Sequence, residues 1–229
     1  MRLKVHGFGS GDRLAVLVHG GMSSAGTWHR VVPRLTALGY RVLAPDLRGH
    51  GESPHADSYT PEEFAADLVE SLPAGAEVAL GHSLGGLALS LAVADLRPAR
   101  AVYSDPAWKL TGNPMASDIA DFARTCKSMT AADIRRMNPR WAASDVEAEL
   151  RGFAAFDADG VRLPLRDRVP AEPVVPSLVQ AADPSPLVSP ALAEDLRGRG
   201  FEVRVVPDTG HCVHRDDLEG FLKSLEGWV

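Results

Sequence analysis

The sequence predicts an α/β fold, a mostly parallel central sheet with helices on both faces and an inserted helical cap, on three observations. Short β-rich apolar runs alternate with amphipathic helical stretches through the first hundred residues, the pattern of a parallel sheet covered on both sides. The run Leu14 to Val18 (LAVLV) is apolar throughout, as a strand buried on both faces is. From about Pro106 to Pro173 the chain turns polar and helical with no strong buried strand, an excursion too long for an ordinary connection.

The elements follow in order. After Leu14 to Val18 comes a helical stretch at about Trp28 to Leu38, then a strand at Tyr40 to Ala44. A helix over Pro61 to Leu72 opens with proline in its first turn behind Thr60. Strand Val78 to Leu80, helix Leu84 to Asp95 and strand Ala101 to Tyr103 complete the first half. Inside the excursion, Asp118 to Lys127 and Ala131 to Met137 read as short helices, and the proline-rich VPAEPVVPS marks the return to the sheet. Strands at Ser177 to Val179 and Val203 to Val206 follow, with helices at about Pro190 to Arg197 and Asp216 to Leu225. A chain of 229 residues with 45% hydrophobic content is expected to form one domain around one sizeable core, with the cap at about 106–173.

Net charge excludes some partners. A net charge of −6 argues against nucleic acid or an anionic membrane surface, both of which reward clustered Lys and Arg, so neither is expected. The apolar run before His19 is too short for a signal-peptide core or a membrane span. Cys126 and Cys212 stand in unrelated contexts without ligand spacing, which predicts two reduced thiols in a cytoplasmic protein and no metal site.

The strongest chemical signal is Gly81-His82-Ser83-Leu84-Gly85, a G-x-S-x-G sequence between the apolar EVAL and the helical GLALSLAVADL. Small residues on both sides let a sharp strand-to-helix turn push the Ser83 hydroxyl out at the sheet edge. The Leu84 N–H, in the first helical turn, is then free to stabilise an oxyanion. Serine needs a base to take its proton, and the candidate is His211 in Pro207-Asp208-Thr209-Gly210-His211, after the FEVRVV strand. A second oxyanion donor is expected from the His19-Gly20-Gly21-Met22 loop, with the Gly21 N–H preferred and Met22 the alternative.

With HGG at 19–21, DLRGHGES at 46–53, GHSLG at 81–85 and TGH at 209–211, the sequence resembles the α/β-hydrolase superfamily over about residues 12–228. That resemblance implies the sheet order, a cap and a Ser-His-acid triad acting without a cofactor, in a monomer or homodimer. It also makes Asp46, Arg48 and His50 structural.

The third triad member departs from the family pattern. Alignment on LVQAA and PLVSP places Ser185 where the acid usually stands, and serine cannot be that carboxylate. Two substitutes remain, Asp105 at the end of the strand after the nucleophile helix and Asp183 two positions before Ser185. Asp105 is preferred because sheet-edge sites collect their groups at strand carboxyl ends.

A serine nucleophile with an oxyanion hole suits acyl transfer, so the expected activity is cleavage of a carboxylic ester, thioester or lactone of a small, moderately hydrophobic substrate. Within the superfamily, Ser83 argues against dehalogenation and epoxide opening, which use aspartate at that position. The alternatives are a C–C bond hydrolase or hydroxynitrile-lyase-like enzyme using the same pair, and a non-catalytic relative that binds a small ligand. Trp28 near the HGG loop and Trp108 beyond Asp105 are the expected substrate-lining aromatics.

Overall fold

The computed structural model describes residues 1–112, 121–160 and 166–229. Seven strands form one sheet: β1 (Val5–Phe8), β2 (Arg13–Val18), β3 (Tyr40–Pro45), β4 (Val78–His82), β5 (Arg100–Ser104), β6 (Ser177–Asp183) and β7 (Glu202–Pro207). Their spatial order is β1-β3-β2-β4-β5-β6-β7. Only the β1–β3 pair is antiparallel, and the other pairings are parallel. The register sets Val18 beside Gly81, Gly81 beside Tyr103 and Ser104 beside Gln180, so β2, β4 and β5 end together at one edge.

Each face of the sheet carries its own apolar layer. On one, helix α2 (Pro61–Ser71) supplies Phe64 and Leu68, helix α3 (Leu84–Leu96) supplies Leu87 and Leu89, and the Pro190–Gly198 helix supplies Leu192 and Leu196. The other buries Val32 and Leu35 of helix α1 (Val32–Ala37) with Phe221 of the Leu218–Ser224 helix. Helix α2 begins where the sequence says it should, with Thr60 and Glu63 forming a reciprocal capping box.

Two expected helices divide. Trp28 to Leu38 is a 3₁₀ turn at Ala25–Trp28 followed by α1, and the C-terminal stretch is two short helices, Val213–Asp216 and Leu218–Ser224. Two elements were not expected. Strand β1 is a half-exposed edge strand paired on one side only, so it carries no apolar run to announce it. The Ala143–Ala155 helix buries Val146 and Phe153 together with Asp145, Ala148 and Gly152, so only two large apolar residues mark its inner face. A side chain at Gly152 would come within 3.0 Å of Ser23 Cα, which is how closely this helix approaches the loop after β2.

Between β5 and β6 the described residues are helical and irregular, with helices at residues 121–125, Ala131–Met137 and Ala143–Ala155. Of the helix expected over Asp118 to Lys127, residues 118–120 lie outside the described residues. These helices share a small core that includes Ile134, Trp141, Val146, Phe153 and Phe156.

Candidate active site

Ser83 sits at the junction of β4 and α3 with φ 51° and ψ −116°, a backbone that a non-glycine residue adopts at a cost of about 1–3 kcal/mol. The flanking glycines make the turn possible. A Cβ on Gly81 would lie 2.5 Å from the Gly85 carbonyl oxygen, and one on Gly85 would lie 2.4 Å from that of His19. Close backbone approach, rather than flexibility, is therefore what these two positions require.

Asp105 follows β5, also with positive φ (41°), and its side chain is fully buried. Its N–H bonds the Gln180 carbonyl at 2.7 Å while the Ser83 N–H bonds that of Ser104 at 3.0 Å, which locks the ends of β4, β5 and β6 together. The His211 Nδ1–H donates to Asp105 Oδ2 at 2.6 Å, leaving Nε2 unprotonated in the neutral ring. The other carboxylate oxygen, Oδ1, accepts the Ser185 hydroxyl at 2.5 Å. That hydroxyl is itself polarised, accepting the backbone N–H of Val188 at 2.7 Å and of Leu187 at 3.1 Å.

Of the two candidate acids, it is Asp105 that the geometry brings to His211. Asp183 ends β6 with its side chain exposed, and its backbone pairs with Pro207 and Thr209. In the sequence Ser185 stands only as a missing carboxylate. It is instead a hydrogen-bond donor to the carboxylate that reaches in from the neighbouring strand.

His82 holds the base from behind. Its Nε2–H donates to the His211 backbone carbonyl at 2.9 Å, and the two rings lie 4.6 Å apart. Burial pushes the His82 pKa well below its usual value, so it carries no charge beside His211. Asp216 ties the same loop to the helices above it, accepting the Gly210 N–H at 2.8 Å and the Trp141 indole N–H at 3.0 Å.

On the opposite side of Ser83, the His19-Gly20-Gly21-Met22 loop rests on two buried imidazoles. His19 Nε2 accepts the Leu47 N–H at 3.0 Å while its Nδ1 bonds the Gly20 carbonyl at 2.7 Å. His50 Nε2 accepts the Met22 N–H at 3.0 Å and its Nδ1 bonds the Arg48 carbonyl at 2.8 Å. Each ring therefore donates from Nδ1 and accepts at Nε2, which requires the neutral form. Burial enforces it, lowering His19 and pushing His50 down to about 3. The Met22 N–H, the alternative donor offered by the sequence, is thus bonded to His50. Gly21 stays in the cavity wall, where a Cβ on it would sit 3.8 Å from Leu84 Cδ2.

Arg48 and Asp46 brace this side. Arg48 makes a two-pronged contact to buried Asp67 of α2, Nε to Oδ2 at 2.6 Å and Nη2 to Oδ1 at 2.9 Å. Asp46 accepts the N–H groups of Ala25 and Glu52 and the His6 Nε2–H. Among the described residues, His6, Asp46 and Glu52 are the one group whose ligand atoms lie within 4.8 Å of each other, but Asp46 already has protein donors on both oxygens.

Ser83, His211, Gly21 and Leu84 line one cavity of about 350 Å³ between the sheet edge and the helices that follow β5. Its walls are mainly apolar, with Leu110 and Leu187 below and Phe122, Met137, Trp141 and Phe153 above. The volume lies at the small end of the range for ligand pockets.

The two aromatics expected in this wall are elsewhere. Trp28 is fully buried against His214, ring centroids 4.5 Å apart, in the core layer on one face of the sheet. Trp108, equally buried, packs on Tyr103 and Phe201 in the other layer and donates its indole N–H to Ser90 Oγ at 3.1 Å. Nearness in sequence to the site was outweighed by the area each indole buries in the core. Ser23, Glu149 and Arg215, which the sequence alone does not single out, form a polar group in the wall. Arg215 lies in the short Val213–Asp216 helix that directly follows the His211 loop, and that closeness in sequence is the signal that could have found it.

The sequence model of the alpha/beta hydrolase family matches residues 15–223. Among curated relatives, methylesterase 3 of Arabidopsis thaliana is 41% identical over 92 residues, 37% of this chain and 35% of that protein. Lipase LipV of Mycobacterium tuberculosis is 31% identical over 161 residues, 68% of this chain and 60% of that protein. The chain thus spans less than two thirds of the length of the curated relatives it matches. A marine microorganism esterase superposes with a TM-score of 0.77 at 19% identity, covering 100% of this chain and 99% of that one. An E-2-(acetamidomethylene)succinate hydrolase superposes with a TM-score of 0.78 at 24% identity, covering 99% and 94%. No described helix is long and apolar enough to cross a membrane.

Proposed function

Since the chain belongs to the alpha/beta hydrolase family, we propose that it is a serine hydrolase that cleaves a carboxylic ester, thioester or lactone through an acyl-enzyme on Ser83. The observation that carries this reading is the Asp105–His211 bond, because it fixes the imidazole with Nε2 as a free base in the cavity that Ser83 also lines. In this reading the Ser83 hydroxyl attacks the substrate carbonyl as its proton passes to His211 Nε2, and buried Asp105 stabilises the imidazolium that forms. The N–H groups of Gly21 and Leu84 receive the oxyanion, the latter aided by the positive end of the α3 dipole. His211 returns the proton to the leaving alcohol or thiol, and water repeats the sequence to release the acid. None of these steps requires a cofactor. The mainly apolar wall and small volume favour a short, moderately hydrophobic acyl or alcohol group.

Esterase, methylesterase and lipase relatives support ester chemistry. The test is stopped-flow hydrolysis of p-nitrophenyl butanoate by wild type and Ser83→Ala, followed by a panel of methyl esters, thioesters and lactones. Wild type is expected to release a burst of p-nitrophenol stoichiometric with enzyme, and the variant none. Cyanohydrin or C–C cleavage without any ester turnover is the outcome that rejects the proposal.

A further inference from the structure

The polar group in the cavity wall has no part in the acyl-transfer steps. Arg215 is almost entirely buried, its side chain 3% exposed, and it still carries its charge. Burial works against that charge, but neighbouring groups, foremost the Glu149 carboxylate bonded by Nη1 at 2.6 Å, more than offset it and keep the guanidinium pKa raised. Trp141 covers one face of the guanidinium, 4.5 Å from the ring centroid. Its Nε bonds Thr27 Oγ1 at 2.7 Å, and Nη2 bonds Ser23 Oγ at 2.9 Å and also Thr27 Oγ1.

A guanidinium has five N–H groups. Four are accounted for by Thr27, Ser23 and Glu149, and the fifth, on Nη1, has no partner among the described residues. A buried donor without a partner in a cavity wall is a place for a ligand acceptor. The charge around it is balanced, however. Glu149 cancels Arg215, His82 is held neutral by burial, and burial pushes the Cys212 thiol up to about 12, so it is not a thiolate. The remaining charges beside the wall are carboxylates, Asp105 behind His211 and Asp216 on the Trp141 indole N–H, and both are negative. A carboxylate entering this cavity loses its hydration and meets no net positive charge.

We propose that the Glu149–Arg215 pair sets the charge selectivity of the cavity, admitting an uncharged ester whose second polar group accepts the spare Arg215 N–H and excluding the carboxylate analogue of the same size. This rests on the acyl-transfer reading for the reaction but not for the binding. Glu149 is the selector, since its charge is what prevents Arg215 from acting as a carboxylate receptor.

Two esters with one skeleton test it, methyl 4-oxopentanoate with a terminal ketone and monomethyl succinate with a carboxylate in its place. Binding is measured by ligand-observed NMR titration in a Ser83→Ala background, and turnover with Ser83 present. The unsubstituted pair is expected to favour the ketone by about 100-fold, and Glu149→Gln to shift that ratio toward the carboxylate by a similar factor. Arg215→Gln, which leaves Glu149 negative, is expected to shift it the other way, and serves as the deciding variant should Glu149→Gln not fold. A binding ratio that neither substitution moves overturns the proposal. A ratio that moves as expected while neither ester is hydrolysed leaves the selectivity standing and removes the acyl-transfer reading instead.

Discussion

The two sides of Ser83 are built from different chemistry. On the base side a fully buried carboxylate faces an imidazole that lies partly open to the cavity, and a polarised serine hydroxyl holds the other carboxylate oxygen. On the oxyanion side two imidazoles are themselves buried, kept neutral, and used only to fix backbone N–H groups and carbonyls. The same side-chain type thus turns a free ring nitrogen to the cavity on one side and is rigid scaffold on the other. What separates the roles is exposure and partner: a carboxylate on Nδ1 and an open Nε2 for His211, backbone on both nitrogens for His19 and His50.

The largest expected effect lies on the base side. Asp105→Asn keeps the shape but loses the charge that orients and stabilises the imidazolium, and should lower kcat by about 10⁴-fold in steady-state ester hydrolysis, with circular dichroism unchanged. A loss of less than tenfold there would mean that the two sides differ less than their geometry indicates.

On the oxyanion side the effect should appear in stability. His50 has a folded pKa of about 3 against an ordinary 6.5, so between those values the unfolded chain binds a proton that the folded chain refuses. Its contribution is complete above pH 6.5 and is lost progressively as the pH falls toward 3. Burial lowers His19, His82 and His214 in the same direction. The melting temperature is therefore expected to drop as the pH is taken from 7 to 4, and His50→Gln, which has no proton to gain, should make that drop shallower. At pH 7 the same substitution should cost about 1–2 kcal/mol through imperfect replacement of the Met22 and Arg48 bonds.

Smaller effects sharpen the boundary of the base side. Ser185→Ala removes one donor from Asp105 and leaves two backbone N–H groups without their acceptor, for an expected loss of about tenfold in kcat. Asp183→Asn, at an exposed strand end, should stay within about twofold of wild type.

Much of this was legible in the residues. Buried strands announce themselves by apolar runs, and a strand-turn-helix with glycine on either side of serine has few other uses, so β2 to β7 and the Ser83 turn could be placed. Strand β1 could not, because an edge strand half open to water needs no apolar run. His211 was legible from its place after the last strand, and Asp105 from its place at a strand's end. What no local pattern encodes is a contact between distant segments. Ser185 meets Asp105 across 80 positions at the sheet edge, and Arg215 meets Glu149 across 66 where two helices pack together, so only the fold brings either pair into contact. The tryptophans failed for a related reason, since distance along the chain from the site says nothing about which way an indole turns.

The central claim is that Ser83 is an activated nucleophile because Asp105, not Asp183, holds its base. Intact-mass spectrometry during reaction with a fluorophosphonate tests it most directly, with wild type, Ser83→Ala, Asp105→Asn and Asp183→Asn side by side. The account predicts a single adduct on wild type and on Asp183→Asn at similar rates, none on Ser83→Ala, and labelling of Asp105→Asn slowed by about 10³-fold or more. Labelling that is fast in Asp105→Asn and slow in Asp183→Asn, or a wild type that stays unlabelled, would contradict it.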